Sequence, residues 1–194
     1  MHREGDLYAD QEGRKFDLDG LYDLFSRFEG VLILQEWLEN HPGVTRFSGS
    51  GTLQTIRIPT IVDHRGGVTL LYADLKLVGG RDDGTDNFHF GETGNLLADV
   101  DLETGRLGEA RTLAENGISP VLHANHPTTG LACSEFEIPF WKETVALARR
   151  AASTFLPLKT IGWDIAITPR GPVLIEGNAY WDPFPHRIRE RIRA

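Results

Sequence analysis

One cysteine, Cys133, stands among 194 residues. It has no partner for an internal disulfide. A disulfide-stapled scaffold is therefore excluded, and a reducing compartment is expected. Cations are the minority charge, with 20 Lys and Arg against 28 Asp and Glu and a formal net charge of -8. A general nucleic-acid binder needs a basic face, and this balance argues against nucleic acid as a partner. A small local basic pocket stays compatible with it. Long apolar runs are missing too. No stretch reaches the roughly 18 apolar residues of a transmembrane helix, so no membrane partner is expected. The opening MHREGDLYADQEGRKFDLDG has no apolar centre for a signal peptide and too many acids for a transit peptide. The expected location is cytoplasmic.

What is present points to a folded domain. Hydrophobic residues at 40% and charged residues at 25% allow a real core and argue against disorder. The 21 Gly and 10 Pro favour turns and β-structure over a helical bundle. Residues 17–30 carry Leu21, Leu24, Phe25 and Phe28 on one helical face, with Asp19 as N-cap and Gly30 as stop. Residues 31–38, VLILQEWL, read as a buried strand. Residues 39–51 read as a Gly/Ser/Pro loop. Strands are expected at 53–62, where Pro59 marks an edge, bulge or end, and at 67–78, joined as a hairpin through 63–67. Residues 79–95 form a long polar loop of the kind that is usually functional. A small hairpin follows at 96–101 and 107–113, and 114–135 stays unassigned. A long helix is expected from about 138 to 155, with Pro139 in its first turn and an apolar stripe through Trp141, Val145, Ala148 and Ala152. Two strands close the pattern, 160–168 and 172–178.

That last hairpin is the most informative segment. With a loop of 169–171, Thr168 faces Pro172, Asp164 faces Glu176 and Gly162 faces Asn178. Asp164, Glu176 and Asn178 then share one face, because side chains alternate with period two. Two carboxylates at that spacing repel unless one holds a proton or a cation lies between them. Two carboxylates and an amide are hard oxygen ligands, suited to Mg²⁺ or Mn²⁺ and, through the ion's remaining positions, to a nucleotide's phosphates. The bland alternative is a hairpin with a solvated charged face. The apolar neighbours Ile161, Trp163, Ile165, Val173 and Ile175 weigh against it, because a carboxylate in such strands needs a partner. A one-residue slip in register would send Glu176 to the other face.

The run Gly-Trp-Asp164-Ile-Ala-Ile followed by Gly-Pro-Val-Leu-Ile-Glu176-Gly-Asn178 resembles the metal-binding end of the ATP-grasp enzymes. The wider set is similar to the branch of α-L-glutamate-ligase-related or sugar-transfer-associated proteins. It comprises Gln35-Glu36-Trp37-Leu38-Glu39-Asn40-His41-Pro42, Gln54-Thr55-Ile56-Arg57-Ile58, Asp86-Asn87-Phe88-His89 and Ile138-Pro139-Phe140-Trp141. The resemblance implies an α+β fold, the family's C-terminal lobe, with a largely antiparallel sheet and one long packing helix. It implies ATP and Mg²⁺ (or Mn²⁺) as cofactors, with Asp164, Glu176 and Asn178 as metal ligands. It implies that Gln35, Glu36, Trp37 and Leu38 meet adenine and that Glu39 reaches the ribose. Arg57 and Lys76 would neutralise phosphate or acyl-phosphate oxygens, and Asn87 and His89 would lie on the acceptor side. The implied activity is ATP-dependent joining of a carboxylate to an amine through an acyl phosphate, with the substrate unidentified.

Only about 30 residues precede the hinge segment, and Lys15 is their one lysine. The family's N-terminal lobe, with its phosphate-clamping lysines, is therefore expected to be missing. Residues 1–40 would be a remnant of it with the hinge strand, and 41–194 the C-terminal lobe. The expected partner is then the missing lobe on another chain, or a second copy. A non-catalytic truncated or accessory nucleotide- or metal-binding module that keeps the acidic triad is the alternative function. Asp164→Asn and Glu176→Gln are expected to abolish Mg-nucleotide binding with little loss of folding. Other motifs weigh less. His123-Ala-Asn-His126 lacks the second pair of a zinc site and reads as solvated loop histidines. Nothing marks Cys133 as a low-pKa nucleophile. Ser48-Gly-Ser-Gly-Thr52 lacks the Lys-Ser/Thr ending of a P-loop.

Overall fold

The structure is a computed structural model that describes residues 2–9, 13–31, 35–80, 84–89, 92–114 and 119–181. The Arg-rich tail 184–194 lies outside the described residues. The chain divides into two compact units, Met1–Leu38 and Glu39–Ala194. The first holds a small antiparallel sheet of β1 (His2–Glu4), β2 (Leu7–Ala9) and β3 (Lys15–Phe16), followed by α1 (Leu18–Ser26). The cap of α1 is Asp17, not Asp19. The Asp17 side chain accepts from the Gly20 N–H at 2.8 Å, and its extended backbone suits the cap while Asp19 is already helical. Leu21 is the buried residue of this helix, and Phe28 lies beyond its end, exposed. The expected strand at 31–38 does not form in its described part. Residues 35–38 have no ladder, and Gln35, Glu36 and Trp37 are exposed. Apolar continuity signals burial, but a strand also needs a paired neighbour.

The second unit begins with α2 (Pro42–Ser48), where sequence reading expects a loop. Pro42 sits at the helix start, and Gly49 closes the helix in the left-handed conformation at φ 75°. That Pro-in, Gly-out asymmetry is itself a helix signal. Val44 and Phe47 bury the helix against the core. The large sheet is 8-stranded, in the order β11-β10-β4-β6-β7-β8-β9, with β5 also paired to β4. Its strands are β4 (Thr55–Val62), β5 (Val68–Leu70), β6 (Asp74–Leu77), β7 (Leu96–Val100), β8 (Leu107–Leu113), β9 (Pro120–His123), β10 (Thr160–Thr168) and β11 (Gly171–Asn178). All its pairings are antiparallel. The helix α3 (Trp141–Thr154) packs on β4, β5, β10 and β11. Pro139 precedes its N-cap, Phe140, instead of lying in the first turn.

Three sequence expectations change in this sheet. The strand expected at 67–78 is two strands, because β4 pairs with β6 through Ile56 and Arg57 and with β5 through Thr60 to Val62. Pro59 falls in the gap between those partners, where its missing N–H breaks no ladder bond on that side; its carbonyl accepts from Leu71 N at 2.9 Å. The closing hairpin is tighter than expected, since Thr168 pairs with Gly171. A bulge then restores the register, because Ile165 faces Leu174 while Asp164 faces Glu176, leaving Ile175 as the extra residue.

Register and alternation sort the side chains onto two faces. Ile56, Ile58, Leu75, Leu77, Leu96, Ala98, Trp163, Ile165 and Ile167 form the core face. Each fully buried Ile or Leu there contributes about 1.5–3 kcal/mol. The opposite face carries charge. His126, expected to be solvated, is instead wholly buried. Its Nε2 donates to Val78 O at 3.0 Å, its Nδ1 accepts from Thr128 N at 3.3 Å, and its ring meets Phe47 edge-on. Burial pushes its pKa below the ordinary value of 6.5. The folded imidazole therefore holds a proton more weakly than the unfolded one. Stability is intact above about pH 6.5 and falls as the pH drops below it, until the folded ring is itself protonated. His126→Gln, which can still donate to Val78, should flatten this acid limb in urea melts at pH 7 and pH 5. An unchanged slope would remove His126 from the account.

Candidate functional site

The charged face is built by five neighbouring strands. Arg57 on β4 faces Asp164 on β10 on one side and Asp74 on β6 on the other; Asp164 in turn faces Glu176 on β11, and Asp74 faces Asp99 on β7. Facing residues in a ladder share one side of the sheet. Glu176, Asp164, Arg57, Asp74 and Asp99 therefore make one transverse row. Lys76 lies two residues from Asp74 on the same side, opposite Leu97.

Asp164, between Glu176 and Arg57 in the row, is almost fully buried, at 2% exposure. The Arg57 guanidinium grips it as a fork, Nε to Oδ1 and Nη2 to Oδ2 at 2.8 Å. Lys76 Nζ donates to Oδ2 at 2.9 Å. Burial pushes the Asp164 carboxyl up, but the Arg57 hydrogen bonds and the charges of Lys76 and Arg57 outweigh it and hold the pKa below the usual carboxylate range. The Arg57 guanidinium loses charge stability by burial but gains more from Asp164, so its pKa is raised. A second ion cluster continues the row. Arg111 donates through Nη1 to Asp99 Oδ1 and through Nη2 to Asp74 Oδ1 at 3.0 Å.

Glu176 is exposed and Asn178 half-buried, and the Asn178 amide donates to Glu176 Oε1 at 3.0 Å. Gly162, opposite Asn178, lets the chain pack closely. A Cβ there would lie 2.9 Å from Trp181 Cβ and 3.3 Å from Arg57 Cδ. Trp181 Nε1 donates to Thr160 Oγ1 at 3.1 Å, and its ring meets Tyr72 edge-on. An aromatic wall thus lies beside Arg57.

The structure brings Arg57, Lys76 and Asp164 together, with Glu176 and Asn178 on the adjoining strand. Asn87 and His89 are exposed on the 84–89 segment, and His89 takes a positive φ of 40°. Glu39 is exposed, and Gln35, Glu36, Trp37 and Leu38 belong to the first unit. Asp86, which sequence reading did not single out as a site residue, is buried. Its Oδ2 accepts from Thr55 N at 2.7 Å and from Thr55 Oγ1 at 2.6 Å. Burial raises its pKa against the opposing pull of Lys76 and Thr55. An acid two residues after Gly84 in a polar loop carries no burial signal, so only the fold reveals it. Cys133 is buried and its thiol pKa is raised by that burial, which keeps it neutral and a poor nucleophile.

The all-oxygen set Asp164, Glu176 and Asn178 has the chemistry for a hard cation. Glu176 and Asn178 fit such a role. Asp164 does not in this arrangement, because both its oxygens are engaged by cations. Among the described residues, no group of three His, Cys, Asp or Glu side chains converges as a cage. No helix among the described residues is long and apolar enough to cross a membrane. A family model for sugar-transfer associated ATP-grasp proteins matches residues 4–188. No curated protein and no solved structure matches the chain.

Proposed function

The chain belongs to the sugar-transfer associated ATP-grasp family, a nucleotide-binding domain family, and from that premise we propose a ligase activity: Mg-ATP-dependent joining of a carboxylate to an amine. The observation that supports this most is that two cations, Arg57 and Lys76, both bonded to Asp164, share one sheet face with the oxygen ligands Glu176 and Asn178. Arg57 offers a planar fork and Lys76 a point charge, two complementary ways to take phosphate oxygens. Magnesium, when held by Glu176 and Asn178, would supply charge neutralisation to the phosphates. The reaction transfers the γ-phosphoryl of ATP to a substrate carboxylate oxygen and releases ADP. An amine then attacks the acyl carbon, phosphate leaves, and the amine gives up a proton. Arg57 and Lys76 orient the phosphoryl oxygens and offset their charge, and positioning of this kind accounts for most of the rate in phosphoryl transfer. The adenine contacts of Gln35, Glu36, Trp37 and Leu38, the ribose contact of Glu39 and the acceptor-side role of Asn87 and His89 belong to the same proposal. So does the cytoplasmic location.

One observation favours the accessory-module alternative: both oxygens of Asp164 are engaged by cations. Calorimetry of the whole chain with ATP, with and without Mg²⁺, separates the readings. The expected result is Mg-dependent binding that Glu176→Gln weakens about tenfold or more. Arg57→Ala should weaken ATP more than adenosine. A folded chain that ignores Mg-ATP would rule out the ligase reading in favour of the accessory one.

A further inference from the structure

Asp164 stands between opposite electrostatic neighbours. On the β4 side it faces Arg57, and on the β11 side it faces Glu176. Facing Cβ atoms lie about 5 Å apart in an antiparallel pair. A short rotation of one carboxylate can therefore serve either side. Here it is turned wholly to β4, where Arg57 and Lys76 together donate three hydrogen bonds to it. Glu176 repels it from the other side and is left to the Asn178 amide. We propose that Arg57 and Lys76 act as a latch on Asp164, making it a ligand for a divalent cation only after a polyanion has drawn both cations away.

This rests on the reading of Glu176 and Asn178 as a cation site. Its physical basis is competition for the same donors. A triphosphate offers Arg57 and Lys76 several anionic oxygens in place of the single carboxylate. Once they turn to it, Asp164 is a buried, unpaired charge beside Glu176, and a divalent cation between the two carboxylates relieves both the burial and the repulsion. Cation and nucleotide binding are then coupled, and by linkage the coupling is reciprocal. The latch also removes the cost of keeping a naked carboxylate buried while the site is empty of nucleotide. Arg57 and Lys76 thereby act on the cation through Asp164 as well as on phosphate directly.

Mn²⁺ titration followed by electron paramagnetic resonance tests this without any turnover. On the latch reading, the whole chain without nucleotide binds Mn²⁺ weakly. Arg57→Gln/Lys76→Met, which removes both donors, should tighten Mn²⁺ about tenfold or more by freeing Asp164. Adding Asp164→Asn to that pair should abolish the gain. Thermal melts confirm that each variant is folded, and the wild-type titration stands whatever the variants do. Wild type that binds free Mn²⁺ as tightly as it does with ATP present overturns the latch and leaves the cation site standing. So does an Arg57→Gln/Lys76→Met chain with no gain, provided Glu176→Gln still weakens Mn-ATP. If Glu176→Gln leaves Mn-ATP binding unchanged, the cation site falls and the latch falls with it.

Discussion

Asp164→Asn should lower the unfolding free energy by about 3–5 kcal/mol. The sequence suggests a neutral outcome, because the change removes charge at nearly constant shape. The structure reverses that expectation. Asp164 is the counter-ion of Lys76, whose side chain is only 9% exposed, and of Arg57, which is 25% exposed. The amide would leave Lys76 buried without its anion and turn an N–H₂ toward one of the same donors. Most of the loss comes from Lys76, since Arg57 retains some solvent. Urea unfolding at pH 7 measures it as a shift of midpoint at unchanged slope. Arg57→Gln/Lys76→Met/Asp164→Asn should recover much of the loss, because a buried ion cluster replaced as a whole costs far less than one broken in part. A change under about 0.5 kcal/mol for Asp164→Asn would mean the cluster is solvated and the burial argument is wrong.

The same carboxylate fixes the sign of an acid effect. Its folded pKa is depressed, so the native state binds the proton more weakly than the unfolded chain. The stability it contributes is fully present above about pH 4 and is lost as the pH falls through the lower folded value. The gap between wild type and Asp164→Asn should therefore narrow in strong acid, where wild type also loses the charge. Asp86 runs the other way. Its raised pKa makes its charged form a cost at neutral pH that protonation relieves.

Gly79→Ala should be comparably damaging, at about 3 kcal/mol. An added Cβ would lie 2.0 Å from the carbonyl oxygen of Gly94, and that atom is backbone, so it cannot swing aside. The two glycines meet at the neck of the 79–95 loop. Gly79 N donates to Asn95 Oδ1 at 3.1 Å, and Thr128 Oγ1 donates to Gly79 O at 2.7 Å. Asn95 then ties the loop inward, donating to the carbonyls of Thr85 and Asn87 at 2.9 Å each. Forcing the neck apart should release Asn95 and, with it, the segment that seats Asp86 on Thr55. The adjacent Gly80→Ala is the control. A Cβ at Gly80 meets nothing within 4 Å, so that change should be nearly neutral. Equal melting temperatures for the two variants would refute the close approach.

The candidate site was legible in the sequence wherever it depends on local rules. Period-two alternation puts Asp164, Glu176 and Asn178 on one side of a hairpin, and the antiparallel pairing follows from a short turn. Yet the turn is one residue shorter than the spacing predicts, and Asp164 still faces Glu176 only because Ile175 bulges out. Two opposite departures cancelled, and a bulge leaves no mark in an apolar run such as Val173-Leu174-Ile175. The helix α2 is bracketed by Pro42 and Gly49, but its Gly, Ser and Thr content resembles a loop.

The family, the mainly antiparallel sheet, the long helix α3 and the shared face of the acidic hairpin are all legible in the order of the residues. Each of these depends on residues close in the chain or on an ordered set of motifs. What Asp164 touches is set by the packing of distant strands. Arg57 is 107 positions from it and Lys76 is 88, and only the strand order β10-β4-β6 makes them neighbours. The same order buries Asp86 against Thr55, 31 residues away. Propensity and periodicity act over a few residues, whereas the electrostatics of a buried carboxylate depend on which distant strands the sheet sets beside it.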